Sequence, residues 1–143
     1  MKPQTLLLSL LIAAPFAAAG QLECNPEPVK QGVPTEYRCV YRNGSLAQAY
    51  AALRANQSET RALMLDHPHL PRTLPARSFT RRVQLRDHNG SETYPAEISL
   101  RRQGQNRVLV KYSDQAEVTP YSRGTLFQRK GRNVEITITE IAP

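Results

Sequence analysis

SFTRRVQLRDHNGSETYPAEISLRRQGQNRVLVKYSDQAEVTPYSRGTLFQRKGRNVEITITEI, residues 78–141, decides how this chain folds. Its side chains alternate. Phe79, Val83 and Leu85 share one side of an extended segment, with Thr80, Arg82, Gln84 and Arg86 on the other. Tyr94, Ala96, Ile98 and Leu100 alternate with Pro95, Glu97, Ser99 and Arg101, and Val108, Val110 and Tyr112 with Arg107, Leu109 and Lys111. Val134, Ile136 and Ile138 alternate with Glu135, Thr137 and Thr139. A period of two over short segments is the signature of strands with one apolar side. The polar breaks Asp87–Ser91, Gln103–Gln105, Ser113–Gln115 and Lys130–Arg132 are turns, and short turns join antiparallel neighbours. Residues 117–128 hold Pro120 and Gly124 and read as an irregular extended piece. Arg81 interrupts an apolar side, so it requires a named partner.

Upstream, Glu36 to Arg42 alternates as a strand with Tyr37, Cys39 and Tyr41 inward. Ser45 and Gln48 match a capping box, and Leu46, Ala49, Tyr50 and Leu53 fall on one helical stripe, so a helix is expected from Ser45 to about Ala55. Residues 58–65 fit either its resumption or a buried strand. Pro68, Pro71 and Pro75 make 66–78 an internal loop. Asn43-Gly44 and Asn89-Gly90, although they sit in glycosylation-type sequons, as does Asn56, read as turn formers. The expected fold is mainly β (α+β), an antiparallel meander or small β-sandwich with one helix. Either the helix and N-terminal strands or a second sheet must cover the apolar face.

The first twenty residues differ in kind. Met1-Lys2 is a positive start, Leu6 to Ala14 an apolar run, and Ala17-Ala18-Ala19-Gly20 a small-residue cleavage site after Pro15. This is the pattern of a secretory signal peptide, and its short Leu/Ala-rich form points to a bacterium. The run is too short for a spanning helix, which needs about 20 apolar residues. Residues 21–143 are then one β-rich domain with no transmembrane segment, periplasmic or secreted. Cys24 and Cys39 are expected to pair in an oxidising compartment, a link between N-terminal strands that stabilises by roughly 3 kcal/mol for a loop of about 15 residues.

Cleavage removes Lys2 from the 19 basic side chains of the whole chain and leaves 18 against 12 acidic, a formal +6. Most are arginine, the side chain suited to bidentate contact with carboxylate or phosphate. Arg82, Arg86, Arg101, Arg107 and Lys111 occupy outward positions of three consecutive strands and form a candidate patch for an anionic partner. The other expectation for them is a solvated surface balanced by Asp87, Glu92, Glu97 and Asp114. For an exported protein such a partner is an envelope protein or an anionic envelope polymer such as lipopolysaccharide, not nucleic acid.

Catalytic signatures are missing. There is no Gly-x-Ser-x-Gly, P-loop, Gly-rich dinucleotide turn or HExxH. Asp66-His67-Pro68-His69 has too few ligands for a metal site, and Asp87-His88 with Ser91 lies in one turn, unlike a triad built from separate elements. Glu97, Glu117, Glu135 and Glu140 are expected to pair with arginines across the sheet rather than work as a glycosidase pair. Neither cofactor nor metal is expected. The sequence therefore points to a small, exported, non-catalytic binding protein of the bacterial cell envelope. A periplasmic inhibitor or immunity protein against a cell-wall-degrading enzyme is the alternative. Expression of the full chain in a bacterial host should yield a mature protein beginning at Gly20 or Gln21 by intact-mass measurement; an unprocessed chain starting at Met1 would contradict the leader.

Overall fold

Seven strands form one sheet in the computed structural model, which describes residues 20–87, 89–115 and 120–141. They are β1 (Gln21–Cys24), β2 (Thr35–Arg42), β3 (Phe79–Arg86), β4 (Thr93–Arg102), β5 (Arg107–Asp114), β6 (Tyr121–Lys130) and β7 (Asn133–Ile141). Helix α1 (Leu46–Ala55) and a 3-10 turn (Arg61–Leu63) lie between β2 and β3. Every pairing is antiparallel and the spatial order is β1-β2-β7-β6-β5-β4-β3. The architecture is thus the meander covered by a helix, not the sandwich. β3 to β7 run in sequence order, and β2 returns to pair with β7 through Tyr37↔Ile138, Cys39↔Ile136 and Tyr41↔Val134. The chain between β2 and β3 must therefore pass from the β1-β2-β7 side of the sheet to its opposite edge.

The registers put one set of residues on a common face: Cys39 and Tyr41, Val134, Ile136 and Ile138, Phe127, Val108 and Val110, Ile98 and Leu100, all buried. α1 covers this face. Ser45 caps it as expected, accepting from the Gln48 N–H at 3.2 Å while Gln48 Oε1 accepts from the Ser45 N–H at 2.9 Å. Its buried stripe is the expected Leu46, Ala49, Tyr50 and Leu53, and the Tyr50 ring packs 6.0 Å from that of Phe127. Fully burying a large apolar side chain stabilises by roughly 1.5–3 kcal/mol, so this stripe is the main attachment of the helix.

Two local expectations change. Residues 58–65 neither resume the helix nor form a strand; they hold the single 3-10 turn, with extended backbone at Thr60 and Met64. β6 is a continuous ten-residue strand bonded on both sides, where an irregular piece was expected. Pro120 lies just outside it, and Gly124 sits between Lys111 and Thr139 on the face opposite the core, where it has no packing to supply. Two complete ladders outweigh the low strand propensity of one glycine. Cys24 and Cys39 are directly opposite in the β1–β2 register and form the expected disulfide.

The segment from 60 to 78 has no ladder, so its carbonyls need other donors. Arginines supply them. Arg54 on α1 donates to the carbonyls of Leu65 at 2.8 Å, Leu70 at 2.9 Å and Pro71 at 3.2 Å. Tyr50 donates its hydroxyl to the same Pro71 oxygen at 2.6 Å. Arg102 reaches the Pro75 carbonyl at 2.9 Å, and Arg123 that of Arg61 at 3.2 Å. Arg81 donates to the His69 carbonyl at 3.3 Å and stacks 4.9 Å over the Phe79 ring; it is exposed, so the arginine on the apolar side of β3 keeps the rest of its guanidinium in solvent. Arg54→Ala should destabilise the protein by on the order of 3 kcal/mol in urea unfolding, because hydrogen bonds to a charged group are worth about 1.5–3 kcal/mol each and do not add fully. Arg54→Lys should recover only part of this, since an ammonium lacks the planar fork; full recovery by lysine would refute the clamp.

Candidate functional site

The five cations singled out in the sequence all emerge on one face. Arg82 and Arg86 of β3, Arg101 of β4, and Arg107 and Lys111 of β5 have the register parity opposite to the buried set. No described element covers this open face, and its charge is divided. Across β1, β2 and β7 the cations are paired: Arg42 with Glu23 at 2.9 Å, Arg38 with Glu36 at 3.1 Å, and Lys130 at the end of β6 with Glu135 at 3.2 Å. Across β3, β4 and β5 only Arg82 has a carboxylate, Glu97 at 3.4 Å. The balancing surface expected from Asp87, Glu92 and Asp114 does not form there. Asp87 and Glu92 belong to the β3–β4 turn, where Asp87 accepts from both the backbone N–H and the hydroxyl of Ser91. Asp114 is on the covered side. Arg86, Arg101, Arg107 and Lys111 therefore make no ion pair among the described residues. Arg101 and Lys111 border a depression of about 580 Å³ that also includes Ser99, Gly124 and Thr139.

A larger concavity lies on the other face. Along the covered side, burial falls off toward one end of the sheet: Val108 and Val110 are buried but Tyr112 and Asp114 half-exposed, and Thr125 and Phe127 buried but Arg123 and Tyr121 half-exposed. Ile138 gives way to Glu140 in the same way, and Ala96 to Tyr94. α1 does not reach this end. What remains is a cleft of about 1350 Å³ between the sheet and the loop that bears Asp66, His67 and Pro68. Tyr94, Tyr112 and Tyr121 line it from three adjacent strands. The Tyr112 and Tyr121 rings are 6.0 Å apart at 50°, and His67 stands 5.0 Å from Tyr112.

Polar groups are fixed around these rings. The Tyr112 hydroxyl donates to Asp114 Oδ2 at 2.9 Å, and the Tyr121 N–H donates to Asp114 Oδ1 at 3.2 Å. Burial, then the hydrogen bond to Asp114 and its charge, pushes the Tyr112 phenol well above its ordinary pKa. Burial pushes Tyr121 up to about 12, with Arg123 opposing and Glu140 reinforcing. Both phenols are thus donors, not bases, at neutral pH. Burial, followed by the charges of His69, Arg123 and Arg54 and opposed by Asp66, lowers His67 to about 4. Its Nδ1 accepts from the His69 N–H at 3.2 Å, so the neutral ring carries its proton on Nε2.

Of the four strand glutamates, Glu97 pairs with an arginine across the sheet as expected, Arg82, whereas Glu135 pairs with a lysine, Lys130. Glu140 instead belongs to the cleft, because its register partner Arg123 is on the covered side. Glu117 and His88 lie outside the described residues. No group of three or more His, Cys, Asp or Glu able to hold a metal occurs among the described residues. Tyr94 and Tyr112 were visible in sequence only as members of an apolar alternation, and Tyr121 only as part of the piece that read as irregular. Their convergence depends on how far the helix reaches across the sheet, which no local pattern encodes. No known protein family, curated protein or solved structure matches the chain.

The His67 shift has a definite sign. Unfolded histidine takes up its proton near pH 6.5, but folded His67 does so only near pH 4. The unfolded state binds more protons in that window, so stability falls as pH drops from about 6.5 to about 4. In urea titrations at pH 7 and pH 4.5, the loss of midpoint should be smaller for His67→Gln than for the native chain. An equal loss would show that His67 is not the buried titrating group.

Proposed function

We propose that this chain is an exported, non-catalytic binding protein of the bacterial cell envelope, and that the β3-β4-β5 half of its open face engages an anionic partner. The observation that carries the reading is the charge division of that face. Four cations on three adjacent strands have no carboxylate within ion-pair reach among the described residues, whereas the cations toward β1, β2 and β7 are neutralised locally. Clustered charge of one sign produces a potential that draws in an opposite partner over roughly a Debye length, about 8 Å at physiological salt. Arginine adds two-point contact to phosphate or carboxylate. An envelope polymer rich in phosphate or uronate, or an acidic protein surface, has the matching chemistry.

Export is supported by the leader-like first twenty residues together with the cross-strand disulfide, which persists in oxidising surroundings. No helix among the described residues is long and apolar enough to cross a membrane. On immobilised lipopolysaccharide and on heparin, the protein should be retained at low salt and released as salt rises. Arg101→Glu/Lys111→Glu should elute at clearly lower salt than Arg72→Glu/Arg77→Glu, which changes the net charge equally on the exposed loop. Identical elution of the two double variants would overturn a defined face.

A further inference from the structure

We propose that the tyrosine-lined cleft at the open end of the covered face is a second binding site, and that its ligand is a neutral oligosaccharide segment. This inference is independent of the open face and rests on the composition of the cleft.

Two phenol rings from adjacent strands, Tyr112 and Tyr121, stand 6.0 Å apart at the base of the cleft and Tyr94 lines it from β4, each half-exposed and therefore offering one side to a ligand. Aromatic faces supply contact area at low entropic cost and accept the weakly positive C–H face of a sugar ring. Around these rings, five carboxylates stand against the two guanidiniums of the covered side, Arg61 and Arg123, with Arg86 reaching the rim from the open face. That balance argues against a polyanion, which would meet excess like charge. It equally argues against a lipid tail, which would bury charged groups without partners. Among the described residues, Arg123 spends one of its N–H groups on the Arg61 carbonyl and has no carboxylate within ion-pair reach, and the exposed side chain of Arg61 makes no ion pair. Donors and acceptors thus lie side by side with an apolar platform between them. Vicinal hydroxyls, each both donor and acceptor, satisfy such a lining; a ligand with only one polarity does not.

Size sets the length of the ligand. At about 1350 Å³ the cleft exceeds the roughly 300–1,000 Å³ of ordinary small-molecule pockets, so several linked rings fit it better than one. The chain has no Trp, so its ultraviolet emission comes from tyrosine, and three of its six tyrosines line the cleft. A saccharide laid across these rings changes that emission directly.

The protein should be titrated with the N-acetylglucosamine pentamer, the α-1,4-linked glucose pentamer and a galacturonate tetramer, following tyrosine emission and heat of binding. The expected result is saturable binding of a neutral pentamer, weakened at least tenfold by Tyr121→Ala and by Arg61→Gln, and unaffected by Arg101→Glu/Lys111→Glu. Arg61 is exposed, so its variant reports on the cleft even where Tyr121→Ala perturbs folding. Failure of both neutral pentamers to bind overturns the proposal. So does neutral-sugar binding that survives Arg61→Gln, and so does binding of the galacturonate alone, lost in the open-face variant.

Discussion

The guanidinium of Arg54 holds three backbone carbonyls of a segment that has no hydrogen-bond ladder of its own, and the cover of the sheet depends on that contact. Seven strands spaced about 4.8 Å apart span roughly 29 Å, whereas a ten-residue helix is about 15 Å long. α1 alone cannot shield the apolar face. The stretch after it must complete the cover, and its prolines and short turn leave carbonyls that would otherwise be buried without donors. Arg54 sits in the last turn of α1, where a cation also suits the helix dipole. From there it fastens Leu65, Leu70 and Pro71, while buried Leu63, Leu65 and Leu70 extend the core beyond the helix.

The same shortage of covering material creates the cleft. Where the cover stops, strand positions change from Val, Ile and Phe to Tyr, Asp, Arg and Glu while keeping the same parity. The sheet continues, but its covered face becomes an amphipathic wall. Tyrosine suits this boundary because its ring packs on the core edge and its hydroxyl reaches a partner, as Tyr112 does with Asp114. Arginines divide into two working groups for the same reason. Arg54, Arg81, Arg102 and Arg123 fasten the loop by its carbonyls. Arg86, Arg101 and Arg107 stand on the opposite face with no such task. Net charge alone does not separate these roles.

What could be read from the sequence was local. Strand parity placed Arg82, Arg86, Arg101, Arg107 and Lys111 outward, and the structure adds that all of them share one face. The Ser45–Gln48 capping box and the Leu46-Ala49-Tyr50-Leu53 stripe appeared as written, and Cys24 met Cys39. What could not be read was long-range. β6 looked irregular because Gly124 weakens a strand in isolation, and the ladder partners that hold it there, Lys111 and Thr139, belong to the neighbouring strands β5 and β7. The inward aim of Asp114 and Glu140 followed from the registers of β5 and β7, and the Arg54 clamp from contacts made 11 to 17 residues further on.

One face of the single sheet is covered at one end and open at the other. Hydroxyl-radical footprinting of the six tyrosines, read by mass spectrometry, tests it most directly. Tyr50 is 0% exposed and Tyr41 6%, so both should resist oxidation until the protein unfolds. Tyr94, Tyr112 and Tyr121 should react in the native state at intermediate rates. Oxidation of Tyr50 as fast as Tyr121, or full protection of all three cleft tyrosines, would rule out this division of the sheet.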